Sequence, residues 1–313
     1  MAFTDANMGH LTRSEVWSGQ LKEVLEDELQ AMKYVNFLSE FPDGDTFTIP
    51  SVGQALVDDY QEDEAVDYRA MDTGEFQFSI QHYKSSATYI TEKQKQDSFY
   101  MSQLVSQFVP KQNRAIMEDL ETNIMKLQSR QTSGDLNNIN GAPHRFVANG
   151  ANETMALKDF ALANYSLKKA NVPMTDLVAI VDPSVEYELN TITNLTNVSS
   201  NPKWEGIISS GIATGMKFVK NIYGFDVYTS NYLDDANETI DGKTAGSGKA
   251  NLFFSASHDV LPFVGAWRQM PKVDSEFNKD RQREEFVTTA RYGLDLFRPE
   301  NLVTVISDDD QVS

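Results

Sequence analysis

The sequence contains no cysteine. Disulfide frameworks, thiolate zinc sites, iron–sulfur clusters and cysteine nucleophiles are therefore excluded. Histidine is nearly as scarce: His10, His82, His144 and His258 are the whole set, and no two stand three or four residues apart. That excludes a helical two-histidine metal site. Bases are few, 27 Lys and Arg against 46 Asp and Glu, for a formal charge of −19. Such a surface repels phosphate backbones and anionic lipid, so direct nucleic-acid recognition and membrane binding are not expected. No stretch of 18 apolar residues exists, so no membrane span is expected. The opening Met1-Ala-Phe-Thr-Asp5 has neither the charged nor the apolar region of a signal peptide, and synthesis in the cytoplasm is the expectation.

Sequence signatures of catalysis are also missing. There is no Gly-x-Gly-x-x-Gly, no complete phosphate-binding Gly-Lys-Thr loop and no Gly-x-Ser-x-Gly elbow. Asp241-Gly-Lys-Thr244 resembles the end of a phosphate loop but lacks its first glycine, and it reads as a turn. Ser166-x-x-Lys169 lies on an amphipathic helical stretch without partner motifs, and His258-Asp259 is one dipeptide. The acidic run Asp58, Asp59, Glu62, Asp63, Glu64 and Asp67 does not have the spacing of a calcium loop. No catalytic, cofactor-binding or metal-ligating residue is assigned, and no cofactor is expected. Paired carboxylates are unavoidable among 46 acids, so a carboxylate-based hydrolase stays open as a lesser reading.

What is present is a folding chain. It has 313 residues, 40% of them hydrophobic, with 18 Phe and 12 Tyr. Disordered chains are poor in such residues. The length suits one large domain or two or three interleaved ones.

The pattern changes along the chain. Thr12-x-x-Glu15 forms a capping box, followed by Trp17, Leu21, Leu25, Leu29 and Met32 on one helical stripe. This predicts a terminal helix packed on its own domain or on a neighbour. Phe47, Ile49 and Val52, then Phe76, Phe78 and Ile80, alternate with polar residues on either side of the acidic run. That predicts a long hairpin-like loop with an acidic tip. A two-stranded ribbon is not stable alone in water, so it must lie on something. Residues 92–131 read as helical, with Pro110 opening a second segment that carries Ile116, Leu120, Ile124 and Leu127. Between 152 and 270 helices and strands alternate, with Leu177–Val181 as a strand buried on both faces and Asp182-Pro183 starting a helix. Long strands follow at 268–274, 285–297 and 302–306. An arm, a ribbon, a long helix and long terminal strands have much surface for their volume. Such elements bury it on neighbours, as obligate assemblies do.

This order of parts resembles the major capsid proteins of tailed bacteriophages, which have the Johnson fold shared with encapsulins. The local matches are Leu177-Val-Ala-Ile-Val-Asp-Pro-Ser184, Tyr223-Gly-Phe-Asp-Val-Tyr-Thr-Ser-Asn231, Leu252-Phe-Phe-Ser-Ala-Ser-His-Asp-Val-Leu261 and Thr289 to Val305 with its Tyr-Gly and Pro-Glu. The resemblance implies an α+β architecture. Its parts would be an N-terminal arm (1–45), an extended β loop (46–90), a peripheral domain with a spine helix (91–150), an α/β axial domain (151–261) and peripheral strands with the C-terminal tail (262–313). It implies homo-hexamers and homo-pentamers that self-assemble into an icosahedral virion shell enclosing double-stranded DNA without specific binding. The implied partners are a portal, a separate scaffolding protein (the chain starts almost at the arm) and decoration proteins. Synthesis would be in the host cytoplasm, and no enzyme activity is implied. An encapsulin-type nanocompartment is the alternative. One family variant cross-links its shell through a lysine on the extended loop. Residues 34–83 contain no lysine, so that chemistry is expected to be absent. The subunit-interface candidates are the acidic run with Trp17 and Leu21 on one side, and Lys279, Arg281 and Arg283 on the other. The hypothesis is that the acidic tip docks on an adjacent subunit against those bases, or against Lys111 and Arg114; a solvated tip is the alternative.

Overall fold

The computed structural model describes residues 29, 31–38, 46–52, 73–97, 101–132, 137–191 and 218–309. A short 3₁₀ turn at Ala31–Tyr34 leads into strand β1 (Val35–Leu38). Strand β2 (Thr46–Val52) pairs antiparallel with β3 (Thr73–Ser79), in register from Thr46 opposite Ser79 to Val52 opposite Thr73. The hairpin-like loop expected from the alternating pattern is thus a two-stranded ribbon outside either large sheet. Strand β4 (His82–Thr91) is followed by helices α1 (Glu92–Asp97) and α2 (Met101–Lys126). The tight hairpin β5 (Asn138–Ile139) and β6 (Ala142–Pro143) precedes β7 (Arg145–Val147) and helix α3 (Leu157–Lys169). Strand β8 (Leu177–Val181), helix α4 (Pro183–Thr191), and strands β9 (Phe218–Ile222) and β10 (Phe225–Thr229) come next. A small hairpin, β11 (Thr239–Ile240) and β12 (Lys243–Thr244), precedes β13 (Gly248–Ser255). Two long strands, β14 (Phe263–Asn278) and β15 (Arg283–Leu296), and the closing β16 (Val303–Asp308) complete the fold.

Two sheets carry it. One has the order β1-β14-β15-β4, the other β7-β16-β13-β8-β10-β9. Strand β8 lies at the centre of the larger sheet, which is why Leu177–Val181 is buried on both faces. Helices α3 and α4 cover one face, where Phe160, Leu167, Val185 and Leu189 meet Val181, Phe225, Phe253 and Val305. On the other face Ile180, Leu252 and Phe254 join Leu120 and Ile124 of α2 and Phe263, Tyr292 and Leu296 of the smaller sheet. The second half of α2 therefore sits where the cores of the two sheets meet.

Two sequence expectations need correction. Strands β7 and β16 belong to the six-stranded sheet, although the scheme above places both in peripheral segments. A boundary at 150 or 262 therefore cuts through that sheet. Strand β16 is buried along its whole length, with Val303 and Val305 in the core beneath the helices and with β13 and β7 on its two edges, which fixes it there rather than beside β15. Nor does Pro110 open a helix: α2 runs through it. An interior proline removes one backbone hydrogen bond and costs about 3 kcal/mol. Burial of Ile116, Leu120 and Ile124 in the following turns outweighs that local cost.

The core is also tied by side-chain amides. Asn301 is buried; it accepts from Ser255 N at 2.8 Å and donates to Ser255 O at 2.9 Å and Val260 O at 2.6 Å. Asn251 accepts from Asp182 N at 2.9 Å and donates to Val305 O at 3.0 Å. Ser184 N donates to Asp182 at 2.9 Å, which is the cap expected at the start of α4.

Candidate functional site

Among the described residues the features that stand out are surfaces. They begin with the long antiparallel pair β14–β15, which continues beyond the four residues of β14 that β1 covers. Burial along β14 starts continuous, then alternates, and ends exposed on both sides, because beyond β1 it is an edge strand, while β15 stays covered by β4 along its other side. On one face of this sheet Phe286, Thr288, Ala290 and Tyr292 are buried beneath α2. On the other face Tyr83, Ser85, Ala87 and Tyr89 of β4 are exposed.

The root of the ribbon lies against this sheet. Phe78 is fully buried against Val264 and Ala266, with Phe76, Leu38 and Phe297 beside it. Gly293 makes the approach possible: a Cβ there would stand 2.6 Å from Ser79 O and 2.9 Å from the tip of the Phe78 ring. Only a residue without a side chain lets the ribbon cross so close to β15. A shallow open depression beside this root is lined by Gln81, Tyr83, Gln269 and Arg291.

The joint between α2 and the sheet is polar. Gln112 donates to Thr88 Oγ1 at 2.7 Å and accepts from Thr288 Oγ1 at 2.8 Å. Two turns further on, Asp119 accepts from Lys84 Nζ at 2.9 Å and from the Tyr292 hydroxyl at 2.7 Å. Asn123 bridges Asp119 at 3.0 Å and the Tyr292 oxygen at 2.8 Å. Burial works against the Asp119 charge, but the Lys84 and Tyr292 bonds hold its carboxyl below the usual range. Burial and the neighbouring Asp119 push the Tyr292 phenol up. Burial, with Lys84 close by, pushes His82 down, and its ring stacks on Tyr292 at 5.1 Å.

The same helix holds the segment that leads out of the N-terminal region. Glu121 is fully buried and accepts from Ala31 N at 2.6 Å and Met32 N at 3.2 Å. A carboxylate on the first N–H groups of a helical turn also meets the positive end of its dipole.

Of the interface candidates, Lys279 and Arg281 sit exposed on the turn that joins β14 to β15. Asn278 Oδ1 shapes that turn by accepting from Asp280 N and Arg281 N, both at 3.2 Å. Arg283 is already engaged: its Nε donates to Glu285 at 2.6 Å and its guanidinium lies 4.4 Å from the centre of the Tyr89 ring. Trp17, Leu21, Asp58, Asp59, Glu62, Asp63, Glu64 and Asp67 lie outside the described residues.

The dismissed catalytic readings sit in ordinary places. Ser166 is buried and donates to Pro143 O at 2.6 Å, while Lys169 is exposed. His258 and Asp259 are both exposed. Asp241-Gly242 turns the small β11–β12 hairpin, with φ of 52° and 78°. Among the described residues no three His, Asp or Glu side chains converge as a metal site, and no helix is long and apolar enough to cross a membrane.

Two sheets with a helix where their cores meet, a long two-stranded hairpin and a separate ribbon define the class. Several solved structures share this fold. The capsid of the cyanophage P-SCSP1u matches with a TM-score of 0.69 and 16% identity, over 93% of this chain and 91% of that one. A chain from Mycobacterium phage Che8 gives 0.66 and 18%, over 94% and 96%. The capsid of Ralstonia phage GP4 gives 0.67 and 10%, over the full length of both. No curated protein matches the sequence. The family model described as phage capsid protein matches residues 75–305. The chain belongs to that family of structural proteins, and its fold is the Johnson fold.

Proposed function

We propose that this chain is the major capsid protein of a tailed double-stranded DNA phage. It assembles as hexamers and pentamers into an icosahedral shell around the genome. It is made in the host cytoplasm, ends in the virion, and works with a portal, a separate scaffolding protein and decoration proteins. Its role is structural rather than catalytic. The observation that carries this reading is the ribbon β2–β3, a pair of seven-residue strands outside both large sheets. Two strands bury too little alone, and a partner surface gives them a reason to exist. Net charge of −19 suits a container wall that leaves packaged DNA unbound.

The division into arm, extended loop, peripheral and axial parts is proposed with one amendment: β7 and β16 go with the axial sheet. The acidic segment 58–67 docks on the exposed Lys279 and Arg281 of an adjacent subunit, with Trp17 and Leu21 of the arm packing on a neighbour. Arg283 contributes less, since Glu285 and Tyr89 already hold it.

The test is velocity sedimentation of the expressed protein, alone and with its neighbouring genes. Closed particles of several hundred subunits or fewer, broken into hexamers and pentamers by mild dissociation, are expected. A monodisperse monomer under every condition would overturn the reading. Charge reversal at Glu62, Asp63 and Glu64 with unchanged particle yield and salt tolerance would remove the tip contact alone.

A further inference from the structure

The outer layer of the six-stranded sheet carries exposed aromatics that the proposed ribbon and tip contacts do not use. Tyr165 of α3 is 48% exposed, Tyr187 of α4 is 51% exposed, and Tyr223 in the β9–β10 turn is 55% exposed. Tyr223 also holds a strained backbone, with φ of 51° ahead of Gly224 at 91°. This turn geometry favours Asn-Gly, and a bulky residue in the left-handed region is an outlier. The strain is held by α3, where Asn164 Nδ2 donates to Tyr223 O at 2.9 Å. A strained position that presents a large aromatic ring to solvent points to a use for the ring.

Charge on the two helices is divided. Helix α3 exposes Lys168 and Lys169 beside Tyr165, and its one acid, Asp159, is fully buried. Helix α4 has no base; Glu186 is half-exposed, while Glu188 already accepts from Met155 N at 2.9 Å. Such a split stands out in a chain with 46 acids and 27 bases. Lysines at a helix C-terminus and a glutamate in a first turn also suit the helix dipoles. The dipoles do not account for three exposed tyrosines or for strain at one of them. Tyrosine is enriched at interface centres, where it supplies area at low entropic cost.

We propose that the Tyr165–Tyr223 corner of α3, with Lys168 and Lys169, docks on Glu186 and Tyr187 of α4 in a second copy of this chain. The two patches differ and lie on one body, so the contact is head-to-tail, the kind that closes rings by rotation. The inference rests on the shell reading above and adds the contact that joins neighbours around a ring.

The test is a charge-swap set in the full-length protein, scored as closed particles per milligram by electron microscopy. The variants are Lys168→Glu with Lys169→Glu, Glu186→Lys, and all three together. Each half-swap is expected to lower particle yield about tenfold or more while the soluble protein melts as the wild type does. The triple variant is expected to recover to within about threefold of wild type. Tyr223→Asn, which suits the turn better, is expected to raise melting temperature and still lower particle yield. Half-swaps that assemble like wild type, or that fail without rescue in the triple variant, overturn the contact. If wild type forms particles in those experiments, the shell reading survives that failure. If wild type forms none under any condition, both fall.

Discussion

Replacing Phe78 by alanine perturbs the ribbon where it is held. The ring is fully buried between Val264 and Ala266 and sits over Gly293. Removing a buried Phe ring typically costs about 3–5 kcal/mol, as lost transfer free energy plus the cavity left behind. The site is at one end of a two-stranded ribbon that no third strand supports, so the loss falls on the ribbon. At about 1.4 kcal/mol per decade, 3 kcal/mol is roughly a hundredfold in a local opening equilibrium. Hydrogen exchange read by mass spectrometry should therefore speed up by about 10²-fold or more at residues 46–52 and 73–79. Amides of β8 and β13, central in the six-stranded sheet, should change little. Phe78→Leu should recover most of the protection. Unchanged exchange in the ribbon would refute the anchoring argument. Equal acceleration across both sheets would refute its locality, because Phe78 would then belong to the global core.

Other consequences follow from the same geometry. Gly293→Ala places a carbon 2.6 Å from Ser79 O, so it should unseat the ribbon and reproduce the Phe78→Ala exchange pattern. Asn301→Ala leaves three buried backbone groups without partners, and urea unfolding should show a loss of about 2–4 kcal/mol, against little change for an exposed residue such as Lys279. Burial lowers the pKa of both His82 and His144 below 6.5, so the folded state prefers them neutral. Their stabilising effect is full above pH 6.5 and is lost as pH falls from there toward the folded values, so the urea midpoint should drop between pH 7.5 and 5. Asp119 has the opposite sign of charge and a lowered pKa, so its share persists until pH falls below 3.8; Asp119→Asn should flatten that acid limb and deepen the loss between pH 7.5 and 5, because Asp119 partly offsets the fall in the His82 pKa. Arg283→Ala removes a partly exposed pair and a ring contact, so calorimetry should show a loss of no more than about 1 kcal/mol.

Elements with strong periodicity could be read from the sequence. The alternation of Phe47, Ile49 and Phe76, Phe78 marked the ribbon, and the all-apolar Leu177–Val181 marked the central strand. Pro110 misled because local propensity says nothing about the burial of Ile116, Leu120 and Ile124 downstream. Strand β16 was set beside its sequence neighbour because only tertiary packing shows that its two faces match the larger sheet. The sites were less legible. Gln112, Asp119 and Asn123 recur at spacings of seven and four on one face of α2, a signal that attention to the apolar stripe passes over. Glu121 and Asn301 are polar residues in the core, and no pattern distinguishes them from solvated ones until their backbone partners are seen. Arg283 reads as a free base like Arg281; Glu285 shares its strand and face two residues on, but Tyr89 comes from β4, which meets it only in the fold.

The central claim is that the ribbon exists to lie on another copy of the chain. Cryo-electron microscopy of the particles formed on co-expression with neighbouring genes tests it most directly. The account predicts a closed icosahedral shell in which residues 46–79 of each subunit run over the sheet of the next. A tube, a trimer, or a shell whose ribbons fold back on their own subunits would contradict it.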